Sequence, residues 1–147
     1  MALTILENAH FRLTLDDPEG IVRYTRSALP FASGAEASES LHQMLAATRS
    51  LTRHHYALLT DVREAPGRND EAFEGTLAKL RHELFDGFRK QATLVRTAVG
   101  RLQVERLARE LRTGDSRAFE SEAEALAYLL SPEPSPPRAS ARPARHL

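Results

Sequence analysis

The chain has 147 residues, of which 41% are hydrophobic and 27% charged, and equal numbers of acidic and basic side chains leave it without net charge. This length and composition predict one globular domain, and the neutral total argues against a general attraction to nucleic acid or to anionic membranes. The chain has no cysteine, which excludes disulfides, thiolate metal sites and cysteine nucleophiles.

Neither a membrane span nor a secretory signal is predicted. No apolar stretch approaches the roughly 18 residues that cross a bilayer. The N-terminus MALTILENAH lacks a basic region followed by an apolar core. We therefore expect a cytoplasmic protein.

The composition changes after residue 130. The segment 131–147, SPEPSPPRASARPARHL, holds five of the eight prolines and almost no large apolar side chain. Such a segment cannot bury enough surface to offset chain entropy. We expect a folded domain over 1–130 and a disordered Pro/Arg/Ser-rich tail over 131–147.

The N-terminal part has the pattern of an antiparallel hairpin. FRLTLD at 11–16 alternates apolar and polar side chains, DDPEG forms a turn, and IVRYTRS continues as a second strand. The hairpin therefore covers 11–26, with a short strand at Leu3 to Leu6 before it. The sequence leaves open whether this edge pairs with a second copy to form a homodimer.

From Ser33 onward, helical and strand patterns alternate. Ser33 and Glu36 have the spacing of a capping box, as do Ser121 and Glu124. The predicted elements after 33 are a helix, a buried strand HYALLTDV at 55–62, a helix from Asn69 to Phe88, a buried strand ATLVRTAV at 92–99, a helix VGRLQVERLAREL, a strand near Phe119 and a helix from Ser121 to Leu130. The fold class is α/β: a single domain with a mixed, mostly parallel β-sheet, an antiparallel N-terminal hairpin and helices packed on the sheet.

The connection DVREAPGRND at 61–70 is the candidate site. It follows a predicted central strand, at the end where open α/β sheets place their binding sites. Asp61 ends the strand, Arg63 and Arg68 offer two cationic forks, and Asn69 and Asp70 begin a helix whose free amides favour anions.

Two features weaken an anion-binding interpretation of this loop. Asp61, Glu64 and the acidic helix start are close enough to neutralise the arginines, and Gly67 stands alone without the glycine pattern of a phosphate loop. A turn with local ion pairs, a protein docking surface and a small-anion site therefore remain alternatives.

Catalytic, metal and cofactor sites lack their usual sequence signatures. His54 and His55 are adjacent, and neighbouring residues of a strand point to opposite faces, so they cannot easily ligate one metal. There is no Gly-x-Ser-x-Gly turn for a serine nucleophile. We expect no enzyme activity, no metal and no cofactor.

A second group of basic residues lies between 96 and 109. Four arginines gather there, at 96, 101, 106 and 109, and Glu105 and Glu110 partly offset them. A solvated helix face and a docking patch for a partner's acidic helix are the two interpretations. Nucleic-acid binding is not expected, because the aromatic residues occupy core positions of the patterns.

The closing strand and helix, SRAFESEAEALAYLL, resemble the end of SpoIIAA-like or STAS (STAS/SEC14-type) bacterial domains. The matching positions are Arg117, Phe119, Glu124-Ala125 and Tyr128-Leu129. The resemblance covers about residues 3–130. It implies a four- or five-stranded sheet with helices mainly on one side, and a role in regulation by protein–protein contact.

The chain departs from the phosphorylated members of that group. In those proteins a serine or threonine near the start of the helix after the central strand accepts phosphate, but no serine or threonine lies between Asp61 and Gly75 here. The resemblance thus predicts a non-enzymatic regulatory module that binds another protein without this phosphoacceptor. The alternative is a domain that binds a small anion, either a nucleotide or a lipid headgroup.

Overall fold

The computed structural model describes residues 2–16, 19–65, 83, 86–111 and 116–132. Along the chain these residues form β1 (Ala2–Glu7), β2 (Phe11–Asp16), β3 (Ile21–Arg26), α1 (Gly34–Thr48), a 3-10 turn (Arg53–His55), β4 (Ala57–Asp61), β5 (Lys90–Leu94), α2 (Ala98–Leu111), β6 (Ser116–Phe119) and α3 (Glu122–Leu130). No helix in these ranges has the length and apolar character of a membrane span.

The six strands form one mixed sheet whose order follows the chain, from β1 at one edge to β6 at the other. β1, β2 and β3 are antiparallel, and β3 to β6 are parallel. This confirms the predicted fold class and the hairpin at 11–26. The sheet has one strand more than the resemblance implied, because Ala2–Glu7 pairs along β2 as a strand of six residues.

The two faces of the sheet pack on different helices. Leu58 joins the core that α1 covers, through Leu41 and Met44. Its neighbour Leu59 joins a second core under α3, through Leu129. Successive strand residues point to opposite faces, so β4 is buried on both, as its apolar run predicted. Helices on both faces differ from the one-sided arrangement that the resemblance implied.

Both predicted N-caps are present. The Ser33 hydroxyl accepts a hydrogen bond from the Glu36 amide at 3.1 Å, and the Ser121 hydroxyl accepts one from the Glu124 amide at 3.3 Å. Each bond satisfies one of the amides that a helix start leaves free. These two helices therefore begin where the sequence indicated.

Three predicted boundaries are wrong. His54 and His55 lie in the 3-10 turn and not in a strand. The strand predicted at 92–99 covers Lys90–Leu94, because the Thr97 hydroxyl accepts from the Gly100 amide at 3.0 Å and starts α2.

The third wrong boundary is the end of the helix predicted from Asn69 to Phe88. Phe88 does not end a helix; it follows Gly87, whose φ of 94° breaks helical geometry, and it lies in the core on the α1 side of the sheet. The rest of the helix predicted from Asn69 lies almost entirely outside the described residues.

A buried lysine closes the last helix. Lys90 is 4% exposed, and its Nζ donates to the carbonyls of Tyr128 at 2.9 Å and Ser131 at 3.1 Å. Arg89 donates to the carbonyl of Leu129 at 3.2 Å. Carbonyls in the last helical turn lack helical partners and attract cations. Lys90, the first residue of β5, and Arg89 just before it thus fix the end of α3 on the sheet.

We expect Lys90→Met to lower the free energy of unfolding by about 2 kcal/mol, because two partly buried carbonyls lose a charged donor. Urea denaturation measures the loss, and amide exchange should show faster opening of the last turn of α3. Arg117→Met is the matched control, since Arg117 lies 5.1 Å from the same Tyr128 ring but is exposed. Equal losses in both variants would contradict this role for Lys90.

Candidate interaction site at the carboxyl edge of the sheet

The predicted site residue Asp61 lies at the carboxyl end of β4 and is 4% exposed. It pairs in register with Thr25 of β3 and Leu94 of β5, so it sits between two parallel neighbours. The chain continues into a turn in which the Val62 amide donates to the Leu94 carbonyl at 3.0 Å. A buried carboxylate at this position needs compensating charge.

Arg63 supplies part of that charge from two residues further along. Its backbone amide and Nε donate to Asp61 Oδ1 at 3.1 and 3.0 Å, and its Nη2 donates to Oδ2 at 2.8 Å. The side chain thus contacts both oxygens of the carboxylate in the strong bidentate geometry of arginine. The local ion pair that the sequence offered as one alternative is present.

Two residues from distant parts of the chain complete the group. Arg23 of β3 donates through Nη2 to Asp61 Oδ2 at 2.9 Å and through Nη1 to Glu122 Oε2 at 3.1 Å. Glu122, the first residue of α3, also accepts from Arg63 Nη2 at 3.0 Å. Arg23, Asp61, Arg63 and Glu122 form a closed ring of ion pairs, here called the ion cluster.

The sequence interpretation missed Arg23 and Glu122. Arg23 lies on the polar side of the alternating strand, and Glu122 follows the cap residue Ser121. Both positions have ordinary explanations, a solvated strand face and an acidic first turn. The parallel register of β3 and β4 and the packing of α3 on the sheet bring Arg23 and Glu122 to Asp61, and the local sequence shows neither.

The ion cluster keeps its carboxylates ionised. Burial raises the pKa of Asp61, but the hydrogen bonds from Arg63 and Arg23 outweigh it and hold that pKa below its ordinary value. The hydrogen bond from Arg23 likewise lowers the pKa of Glu122, against a smaller opposing effect of burial. Two cations and two anions cancel, so the group has no net charge.

The ion cluster is partly open to solvent. The side chains of Arg63 and Glu122 are 36% and 39% exposed, while that of Asp61 is 6% exposed. Of the four cluster residues, Arg23 also lines a depression of about 170 Å³, together with Asp16 and Glu19. The exposed parts of Arg63 and Glu122 therefore form a polar rim around the nearly buried carboxylate of Asp61.

Other predicted site residues and other chemistry can be placed only in part. Arg68, Asn69 and Asp70 lie outside the described residues. Within the described ranges, no group of three His, Asp or Glu side chains is placed to hold a metal ion. The expectations of no metal and no cofactor stay predictions.

We expect Asp61→Asn to lower the free energy of unfolding by about 2 kcal/mol, because two guanidinium groups lose their shared, nearly buried anion. The control is Glu120→Gln, which breaks the 3.5 Å pair between Arg101 and Glu120, whose side chains are 44% and 43% exposed. An exposed pair contributes less than about 1 kcal/mol. Urea denaturation of both variants checks the difference, and similar small losses would show that Asp61 is not a structural anchor.

The stability that Asp61 contributes should depend on pH. Because its folded-state pKa is lowered, the contribution is fully present above the ordinary carboxylate value of about 4 and is lost as the pH falls through the folded-state pKa. The stability difference between wild type and Asp61→Asn is therefore expected to shrink as the pH falls below about 4. Urea denaturation across this range measures it; a constant difference would argue against an ionised Asp61.

Comparison with solved structures relates this chain to a known fold. No protein-family model and no curated protein matches the sequence. The crystal structure of an uncharacterised protein of the DUF3478 family with a SpoIIAA-like fold, from Shewanella loihica PV-4, matches with a TM-score of 0.56 and 18% identity, over 84% of this chain and 98% of that chain. Identity at this level shows the fold alone. The chain therefore has the SpoIIAA-like fold that its closing strand and helix indicated.

Proposed function

We propose that this chain is a non-enzymatic regulatory module that binds another protein at the carboxyl edge of its sheet, through the loop 62–68. The observation that carries the proposal is the ion cluster, which ties the start of this loop to β3 and to α3. A surface that is already fixed binds without the cost of ordering it. The SpoIIAA-like fold supports the same role.

The protonation states in the ion cluster favour binding over catalysis. General acid–base catalysis works best when the pKa of the catalytic group lies near the operating pH. The pKa values of Asp61 and Glu122 are instead lowered by their arginine partners. Both stay ionised and bonded at neutral pH, which suits a structural anchor.

The same contacts favour this proposal over the binding of a small anion. The Nε and Nη2 groups of Arg63 already donate to Asp61 and Glu122. A nucleotide phosphate or lipid headgroup would compete with these carboxylates at a group that has no net charge. A protein partner can place both acidic and basic groups against the exposed rim of Arg63 and Glu122, which suits a group of mixed charge.

Recognition at this edge is proposed to be independent of phosphate on the loop. The segment from Asp61 to Gly75 contains no hydroxyl side chain of serine or threonine. Regulation would then act through docking itself, by the presence or absence of the partner.

The test is an affinity capture from native lysate with the wild type and the double variant Arg63→Ala, Arg68→Ala, followed by mass spectrometry. We expect a specific partner that the variant loses, because both arginines of the loop are removed. Arg117→Ala, at an exposed position of β6, controls for general loss of positive charge and is expected to keep the partner.

Glu122→Gln distinguishes direct contact between the loop arginines and the partner from support of the loop by the ion cluster. It weakens the ion cluster but leaves both loop arginines in place, so we expect weaker binding than in the wild type but more than in the double variant. If every specific partner bound the double variant with unchanged affinity, the assignment of this surface would be wrong.

A further inference from the structure

The first two turns of α2 expose an apolar pair that the fold does not use. Val99 is 65% exposed and Leu102 is 60% exposed. Residues three apart in a helix lie on the same face, so the two side chains form a short apolar stripe. Gly100 and Val104 of the same helix are less exposed, which places the stripe on the outward side.

This stripe lies at the same edge of the sheet as the ion cluster. α2 begins four residues after the end of β5, and the β5 end bonds to the loop after β4 through the Val62 amide and the Leu94 carbonyl at 3.0 Å. The stripe therefore begins at the same end of the parallel strands as the loop that carries Arg63.

The charges around the stripe are mostly positive. Arg96 and Arg101 are exposed beside it, and Arg106 is exposed one turn further along. Glu105 lies in the same part of α2, with Glu110 further along the helix, and Glu120 reaches Arg101 at 3.5 Å between two exposed side chains. The local excess of cations would attract carboxylates around an apolar contact.

We propose that this surface, Val99 and Leu102 flanked by Arg96 and Arg101, binds an acidic amphipathic helix of the partner protein. An apolar stripe one turn long fits the i and i+3 or i+4 side chains of such a helix, and the arginines pair with its flanking carboxylates. The inference rests on the proposed function and states the chemistry of the partner. The chain's own tail is a poor occupant, because 131–147 carries three arginines and one glutamate.

The probe is a synthetic 18-residue helical peptide with leucine on one face and glutamate on its flanks. Two control peptides of the same length, called its twins, differ in one way each: the first has lysine in place of glutamate, and the second has serine in place of leucine. Binding to the full chain is measured by fluorescence anisotropy, and the contact is mapped from amide chemical shifts. We expect the acidic peptide to shift amides between 96 and 106, to bind at least tenfold more tightly than either twin, and to weaken as salt is added.

The variant is Val99→Ser with Leu102→Ser, which changes exposed positions and should leave the fold intact. Its matched control is Leu3→Ser, since Leu3 is 66% exposed on β1, the outermost strand on the side of the sheet away from β6. We expect the double variant to bind the acidic peptide at least tenfold more weakly and the control to bind it as the wild type does. Unchanged affinity in the double variant, or equal binding of the lysine twin, overturns the inference.

Two further outcomes separate this inference from the proposed function. If Arg63→Ala with Arg68→Ala loses the captured partner while Val99→Ser with Leu102→Ser keeps it, the proposed function stands and the role of α2 fails. If light scattering shows a wild-type dimer that the Val99 and Leu102 variant converts to monomer, the occupant is a second copy of this chain. That result also overturns an acidic partner helix.

Discussion

The carboxyl edge of this protein depends on one nearly buried carboxylate. Asp61 ends the central strand and would be costly to bury as an isolated charge. Two guanidinium groups compensate it, at 2.9 Å from Arg23 and 2.8 Å from Arg63. Because both arginines also reach Glu122, the compensation links β3, the loop after β4 and the start of α3. One charge thus fixes the relative position of three elements.

The opposite end of α3 is fixed by cations as well. Lys90 and Arg89 hold the last carbonyls of the helix at the amino end of β5. α3 is therefore attached at both ends by charged groups and in the middle by the apolar contacts of Ala125 and Leu129. The exposed parts of Arg63 and Glu122 and the apolar stripe on α2 carry the functional proposals.

Much of the fold could be predicted from local pattern. Alternation in FRLTLD predicted β2, a continuous apolar run predicted β4, and serine caps predicted the starts of α1 and α3. Boundaries failed where local chemistry competes with pattern. Thr97 starts a helix inside an apolar run, and Gly87 separates Phe88 from a helical period. Apolar content alone does not distinguish a strand from the helix that follows it.

The sequence by itself determined the alternation of strands and helices and the loop after Asp61, and it offered local ion pairs in that loop as one alternative, because these depend on residues close together in the chain. The tertiary structure decided which distant groups join them. Arg23 and Glu122 are separated from each other by 99 positions and meet at 3.1 Å. Parallel strand register and the packing of α3 bring them together, and no local propensity specifies either. Long-range electrostatics completed the candidate site that the local sequence began.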